Sequence, residues 1–432
     1  MERKFVDGLN KWKNDTSRKP LVISGARQVG KTYTMLSFGK EQYKNTVYIN
    51  MEDNRNVQAI FERDLKPERI VRELSAYSGK SIFPGDTLVI FDEIQACERA
   101  LTSLKYFCEN APQYHIVTAG SLLGVATKRE QYSFPVGKVD MMTMYPMDFE
   151  EFLRATDNVP LTQLIRESFA EFSPLPLHDT ALDLYKLYLV VGGMPEAILK
   201  YISTQDFNFV VATQKSMNDS YIADMAKYAT THETTKIKAA WDSLPAQLAK
   251  ENRKFQYKAI KSGARAYEYE MPLDWLASAG IIHKCVRVTE GKLPLVAYAD
   301  NDSFKVYMMD TGLLCSKFGI AANVVMSGTP SFDGFKGALT ENYICQCLAA
   351  NGITPFYWSS PGKAELDFVF QNHQGNIIPL EAKSADNVKS KSLNRFVELY
   401  NPEYAIRVST KNFGYENGIK SIPLYAMFCV TP

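Results

Sequence analysis

The sequence predicts an α/β protein: a doubly wound phosphate-binding domain first, a helical and winged-helix region next, and a second α/β unit last. Three observations lead there. Short apolar segments at 21–24, 46–50, 87–91 and 115–119 alternate with helical patterns, as in a parallel sheet covered by helices on both faces. The first segment runs into Gly25-Ala26-Arg27-Gln28-Val29-Gly30-Lys31-Thr32, a complete phosphate-binding loop. The third ends in Asp92-Glu93. At 432 residues the chain is too long for one core, and the length suggests roughly two to four domains.

The elements of the first domain follow in order. Leu21-Val22-Ile23 is the strand that delivers the loop, and Tyr33 to Phe38 read as the helix behind it, with its N-terminal dipole facing the bound anion. Backbone N–H groups between Gly25 and Gly30 are expected to surround the phosphates of ATP. Lys31 reaches the β- and γ-phosphates and the Thr32 hydroxyl ligates Mg²⁺. Thr87-Leu88-Val89-Ile90-Phe91 is continuously apolar, as expected of a strand buried on both faces. At its tip, Asp92 is expected to complete Mg²⁺ binding and Glu93 to polarise the attacking water. His115-Ile116-Val117-Thr118-Ala119 runs into Gly120-Ser121, which places Ser121 where it could sense the γ-phosphate.

Composition excludes several classes. Hydrophobic residues make up 46% and charged residues 22%, with a net charge of +1, so no global field draws the chain to nucleic acid or an anionic membrane. No stretch of about 18 uncharged apolar residues occurs and the N-terminus lacks an apolar signal core, so no membrane association is expected. Seven cysteines are dispersed without metal-type spacing, which suits a reducing cytoplasm.

Pro160, Pro174 and Pro176 mark a connecting segment before the helical stretch Leu182 to Val191 and the turn Gly192-Gly193-Met194-Pro195-Glu196. From about Lys236 onward the order resembles a winged helix. Phe255 to Lys261 and Tyr267 to Ala279 read as helices, and Ile281-Ile282-His283 opens a strand. Lys250, Arg253, Lys254, Lys258, Lys261 and Arg265 form a local basic run. The presumed recognition helix carries Glu268, Glu270 and Asp274 and no Lys or Arg, which opposes DNA contact and favours a packing or partner-binding module.

The last unit holds a second constellation. Ala364 to Phe370 and Ile377 to Lys383 alternate as two strands of a hairpin centred near Gln374. That register places Asp367 almost opposite Glu381, with Lys383 on the same face as Glu381. Glu341 shares a helical stripe with Ile344, Cys345 and Leu348, a costly place for a carboxylate unless it meets a cation or metal. Two carboxylates and a lysine in this arrangement can bind Mg²⁺ or Mn²⁺ for phosphodiester cleavage.

With these residues in view, the chain resembles prokaryotic AAA-type ATP-binding proteins whose C-terminal domain is related to restriction endonucleases. The motifs that carry the resemblance span nearly the whole length. They are the loop at 25–32, Asp92-Glu93-Ile94-Gln95, Gly120-Ser121, Tyr145 to Phe152, Gly192 to Glu196, Asp310-Thr311-Gly312-Leu313-Leu314, Leu366 to Val369 and Glu381-Ala382-Lys383. The resemblance implies nucleotide binding and hydrolysis, and it matches Glu341, Asp367, Glu381 and Lys383 to a nuclease pattern. Two positions depart from it. Gly137-Lys138 stands where Gly-Arg is common, and a lysine lacks the bidentate fork of a trans-acting arginine. Lys363 fills only approximately the place of a basic residue before the Leu-Asp strand. From residue 325 onward nine Lys and Arg balance nine Asp and Glu, which weakens the case for tight DNA binding.

The expected domains are 1–154, 155–235, 236–320 and 325–432. The leading function is an Mg²⁺-dependent ATPase that drives or gates its C-terminal half. The rivals are a slow nucleotide-dependent switch acting on a protein partner, and an ATP-regulated nuclease acting on DNA or RNA. A homo-oligomer is compatible with each.

Overall fold

A computed structural model describes residues 1–53, 55–120, 134–250, 253–327, 333–360, 364–383 and 391–432. It divides into two compact units, one of Arg3–Tyr145 with Ser278–Gly280, the other of Met1–Glu2, Pro146–Ala277 and Ile281–Pro432.

The first unit is built on a parallel sheet of β1 (Leu21–Ser24), β2 (Asn45–Asn50), β3 (Thr87–Asp92), β4 (His115–Ala119) and β5 (Asp140–Thr143). Their order is β2-β3-β4-β1-β5. Four of the five strands fall where the apolar runs predicted them. The fifth is a four-residue segment with polar ends that alternates in burial, too short and too polar to register as an apolar run. Both faces of the sheet are covered, and every residue of β3 is buried. Phe91 meets Phe61 edge-on with ring centres 5.7 Å apart, within a core that includes Val22, Val47, Ile49 and Leu101. The helix behind the loop runs Lys31–Gln42, longer than the sequence pattern indicated.

Early in the second unit, the Asp148 carboxylate accepts from Glu151 N–H at 2.9 Å while Glu151 accepts from Asp148 N–H at 3.1 Å. This reciprocal cap starts the helix Phe149–Ala155. Helices fill most of the chain to residue 278. The strands β6 (Ile282–Val288), β7 (Ala299–Met308), β8 (Phe356–Ser359), β9 (Glu365–Gln371), β10 (Ile377–Ala382), β11 (Ala405–Ser409), β12 (Gly414–Glu416) and β13 (Ile419–Pro423) follow. They form one sheet in the order β12-β13-β11-β10-β9-β8-β6-β7.

That continuity corrects the winged-helix expectation. The β6–β7 hairpin, read as a wing, is the edge of the C-terminal sheet, because β6 pairs in parallel with β8. The sheet therefore crosses the expected break between residues 320 and 325. The helix expected over Phe255 to Lys261 shrinks to a single 3-10 turn, Tyr257–Ala259. The chain just before it lies extended along β7, with Phe255 N–H donating to Phe304 C=O at 2.8 Å. The following helix, Ala266–Ser278, forms as expected.

One buried carboxylate explains two sequence motifs at once. Asp310 accepts from Gly193 N–H at 2.6 Å and from Leu313 N–H at 2.8 Å, capping the helix Thr311–Phe318. A Cβ on Gly193 would lie 2.0 Å from Met147 C=O, so the turn admits only glycine there. Burial pushes the Asp310 carboxyl up to about 6, against the pull of its backbone donors. We expect Asp310→Ala to cost about 2–4 kcal/mol, since it removes a cap and leaves buried N–H groups unpaired. The raised value makes that cost greater at pH 5 than at pH 7, which urea unfolding at both pH values measures.

No described helix is long and apolar enough to cross a membrane. None of the seven cysteines, all within the described residues, takes part in a disulfide.

Candidate functional site

β1 ends where the loop begins, and β3, two strands away across β4, brings a carboxylate to the same edge of the sheet. The loop's glycine requirement is physical at Gly25. Its φ is 137°, and a Cβ there would stand 2.2 Å from Met144 C=O. Ala26 and Val29 are buried, while Gln28 faces solvent and Arg27 is half-buried. The Arg3 guanidinium donates to Val29 C=O at 2.7 Å and to Tyr145 C=O at 2.7 Å, tying the loop to the chain after β5.

Lys31 is 8% exposed, and its ammonium donates to Gly25 C=O at 2.8 Å and Ala26 C=O at 2.7 Å. Burial pulls it down to about 8, opposed by the nearby Glu93 and Asp92 charges. A phosphate in the loop would supply the counter-charge this lysine lacks. The Thr32 hydroxyl donates to Asp92 Oδ2 at 2.6 Å. Two oxygens that a magnesium ion can share therefore lie side by side, on elements 60 residues apart in sequence. The oxygen-only donor set fits Mg²⁺.

Asp92 is held further by two groups. The Tyr48 hydroxyl donates to the same Oδ2 at 3.0 Å, and Glu93 N–H donates to Oδ1 at 3.0 Å. Tyr48 was not foreseen. Its signal was the alternation of β2, where Val47 and Ile49 are buried and Tyr48 turns outward. Glu93 sits beyond the strand in a left-handed conformation, φ 48° and ψ 43°, and its carboxylate accepts from Gln95. Ser121 and Lys363 lie outside the described residues. Lys138 is paired with Glu109 at 2.9 Å.

The C-terminal constellation also assembles, with an addition that changes its chemistry. The β9–β10 register pairs Leu380 with Phe368, which carries Glu381 opposite Asp367 as expected. Ala382 N–H donates to Asp367 at 2.9 Å, and Lys383 donates to Glu381 at 2.5 Å. Glu341 accepts from Arg253, and from the Tyr307 hydroxyl at 2.8 Å. The addition is Lys305, 1% exposed, 2.7 Å from Glu365 and 3.8 Å from Glu341. Burial lowers its basicity, but Glu341, Asp367 and Glu365 outweigh that and hold it above the usual lysine value. Burial, then Glu341 and Glu381, push the Asp367 carboxyl well above its ordinary range.

Lysine and arginine thus take up the carboxylate oxygens that a metal would need. Among the described residues no three His, Cys, Asp or Glu side chains are placed to hold a metal ion together. Glu381 Oε2, buried without a hydrogen-bond partner, is the exception within the cluster. As arranged, the set is an ion-pair network and does not fit a second Mg²⁺ or Mn²⁺. Its sequence signal was a lone lysine in the apolar run Phe304 to Met308. Lys305→Met should cost about 3 kcal/mol in chemical unfolding, because it leaves buried carboxylates short of a partner.

Comparison with known proteins finds a family match over most of the first unit. Residues 17–153 match a family described as an AAA domain. Residues 182–323 and 336–427 match two families described only as domains of unknown function, DUF8612 and DUF4143. No curated protein matches the chain. Among solved structures, the Walker-type ATPase paby2304 of Pyrococcus abyssi is 15% identical, with a TM-score of 0.45, covering 73% of this chain and 95% of that one. The ORC1 protein of Aeropyrum pernix, solved in complex with DNA, is 14% identical with a TM-score of 0.31, covering 76% and 91%. AMPPCP-bound DnaA from Aquifex aeolicus is 15% identical with a TM-score of 0.30, covering 64% and 89%.

Proposed function

We propose that the chain is a magnesium-dependent ATPase. The observation that carries this reading is the meeting of the Thr32 hydroxyl and the Asp92 carboxylate at 2.6 Å, beside a buried Lys31 in a phosphate-binding loop. The loop N–H groups and Lys31 bind and orient the phosphates. Thr32 and Asp92 would hold Mg²⁺, which would supply positive charge beside the phosphates. Glu93 takes a proton from water as its oxygen bonds to the γ-phosphorus. The bond to the bridging oxygen breaks, and its electron pair leaves with ADP. Phosphate release from ATP, strong with Mg²⁺ and absent with chelator, is the test. Binding without turnover would favour the rival reading, a slow switch that presents its helical region to a protein partner.

A nuclease reading has one support, the unpartnered Glu381 Oε2. The cations around the other carboxylates oppose it. Metal-dependent cleavage of DNA or RNA, lost in Asp367→Ala, is the result that would establish it.

A further inference from the structure

The turn after β3 contains a side chain with no assigned role. Gln95 lies in the 3-10 turn Ile94–Ala96 and is 4% exposed. Its amide Nε2 donates to Glu93 Oε2. Glu93 occupies the left-handed region that a residue with a side chain adopts only at a cost of about 1–3 kcal/mol. Its N–H is bound by Asp92 Oδ1 at 3.0 Å, and its C=O accepts from Ala96 N–H at 2.9 Å. The backbone of the turn therefore fixes where the Glu93 side chain leaves the chain. It does not fix the three torsions beyond Cα, which in a free glutamate sample many orientations. A buried donor two residues on, hydrogen-bonded to one carboxylate oxygen, restricts that freedom.

We infer that Gln95 is a positioning residue for ATP hydrolysis, holding Glu93 by one carboxylate oxygen so that the other is free to accept the proton of the attacking water. This rests on the reading of Glu93 as the water-activating group. The arrangement accounts for the strain at Glu93. One turn places Asp92 for the metal and Glu93 for the water, and the Gln95 amide fixes the last degree of freedom. Gln95 needs no contact with nucleotide, so its contribution belongs to the chemical step and not to binding.

The test is Gln95→Met, which keeps length and volume but removes the donor. We expect kcat to fall about 10- to 100-fold with KM for ATP unchanged, the scale of a misoriented catalytic group. Gln95→Asn, which retains a donor with shorter reach, should fall between the two. In single-turnover measurements on a Glu93→Gln background, Gln95→Met should change the rate less than about twofold, because a residue acting only through Glu93 has nothing left to orient. Wild-type kcat in Gln95→Met, while Glu93→Gln is inactive, would overturn the inference and leave the role of Glu93 standing. So would a fully multiplicative loss in the double variant, or a loss of ATP affinity. Full turnover in Glu93→Gln alone would instead remove the reading on which the inference rests.

Discussion

Lys31→Ala should weaken ATP binding by about 100-fold or more, a loss of about 3 kcal/mol in calorimetric affinity. Two effects converge in that number. The ammonium is the buried cation of the loop, and on the proposed reading its removal leaves the β- and γ-phosphates without their main protein counter-charge. It also bridges Gly25 C=O and Ala26 C=O, so its removal frees two loop carbonyls. Lys31→Met separates the two. It restores most of the buried stem but not the charge, and should bind ATP as poorly as Lys31→Ala. Affinity near wild type in Lys31→Met would show that the lysine serves the loop and not the phosphates.

Glu93→Gln should leave ATP affinity within about twofold of wild type while hydrolysis falls by roughly 10² or more, the usual contribution of a positioned proton acceptor. The substitution keeps size and hydrogen-bonding capacity. The backbone bond from residue 93 to Asp92 does not involve the Glu93 side chain, so the Asp92 carboxylate stays in place. A loss in kcat alone assigns the residue to the chemical step, whereas a matching loss of affinity would assign it to the architecture of the turn. Unchanged turnover would contradict its role.

Much of this was legible in the sequence because parallel strands buried on both faces announce themselves as continuous apolar runs. β1, β3 and β4 are of that kind. The loop was legible for another reason, since its chemistry lies in consecutive residues. What escaped depends on contacts across the fold. Tyr48 and Asp92 meet because β2 and β3 are neighbours, and no local pattern names that pair. Lys305 joins Glu341 and Glu365 only because β6 and β7 extend the C-terminal sheet. Local order, a helix followed by a hairpin, suggested a winged helix instead. Strand pairing over about 70 residues decided the matter, and such pairing leaves little trace in a single sequence. The facing of Asp367 and Glu381 was readable because a hairpin turns long-range pairing into a short count of residues.

On the proposed reading, Lys31, Thr32, Asp92 and Glu93 form one magnesium–ATP site. A crystal structure of Glu93→Gln grown with ATP and Mg²⁺ tests it most directly. We expect triphosphate density cradled by the N–H groups of residues 25–32, with Lys31 against the β- and γ-phosphates. We also expect a metal ion at the Thr32 hydroxyl, reached by Asp92 directly or through one water. Nucleotide bound elsewhere, or phosphates in the loop with no metal near Thr32 and Asp92, would contradict it.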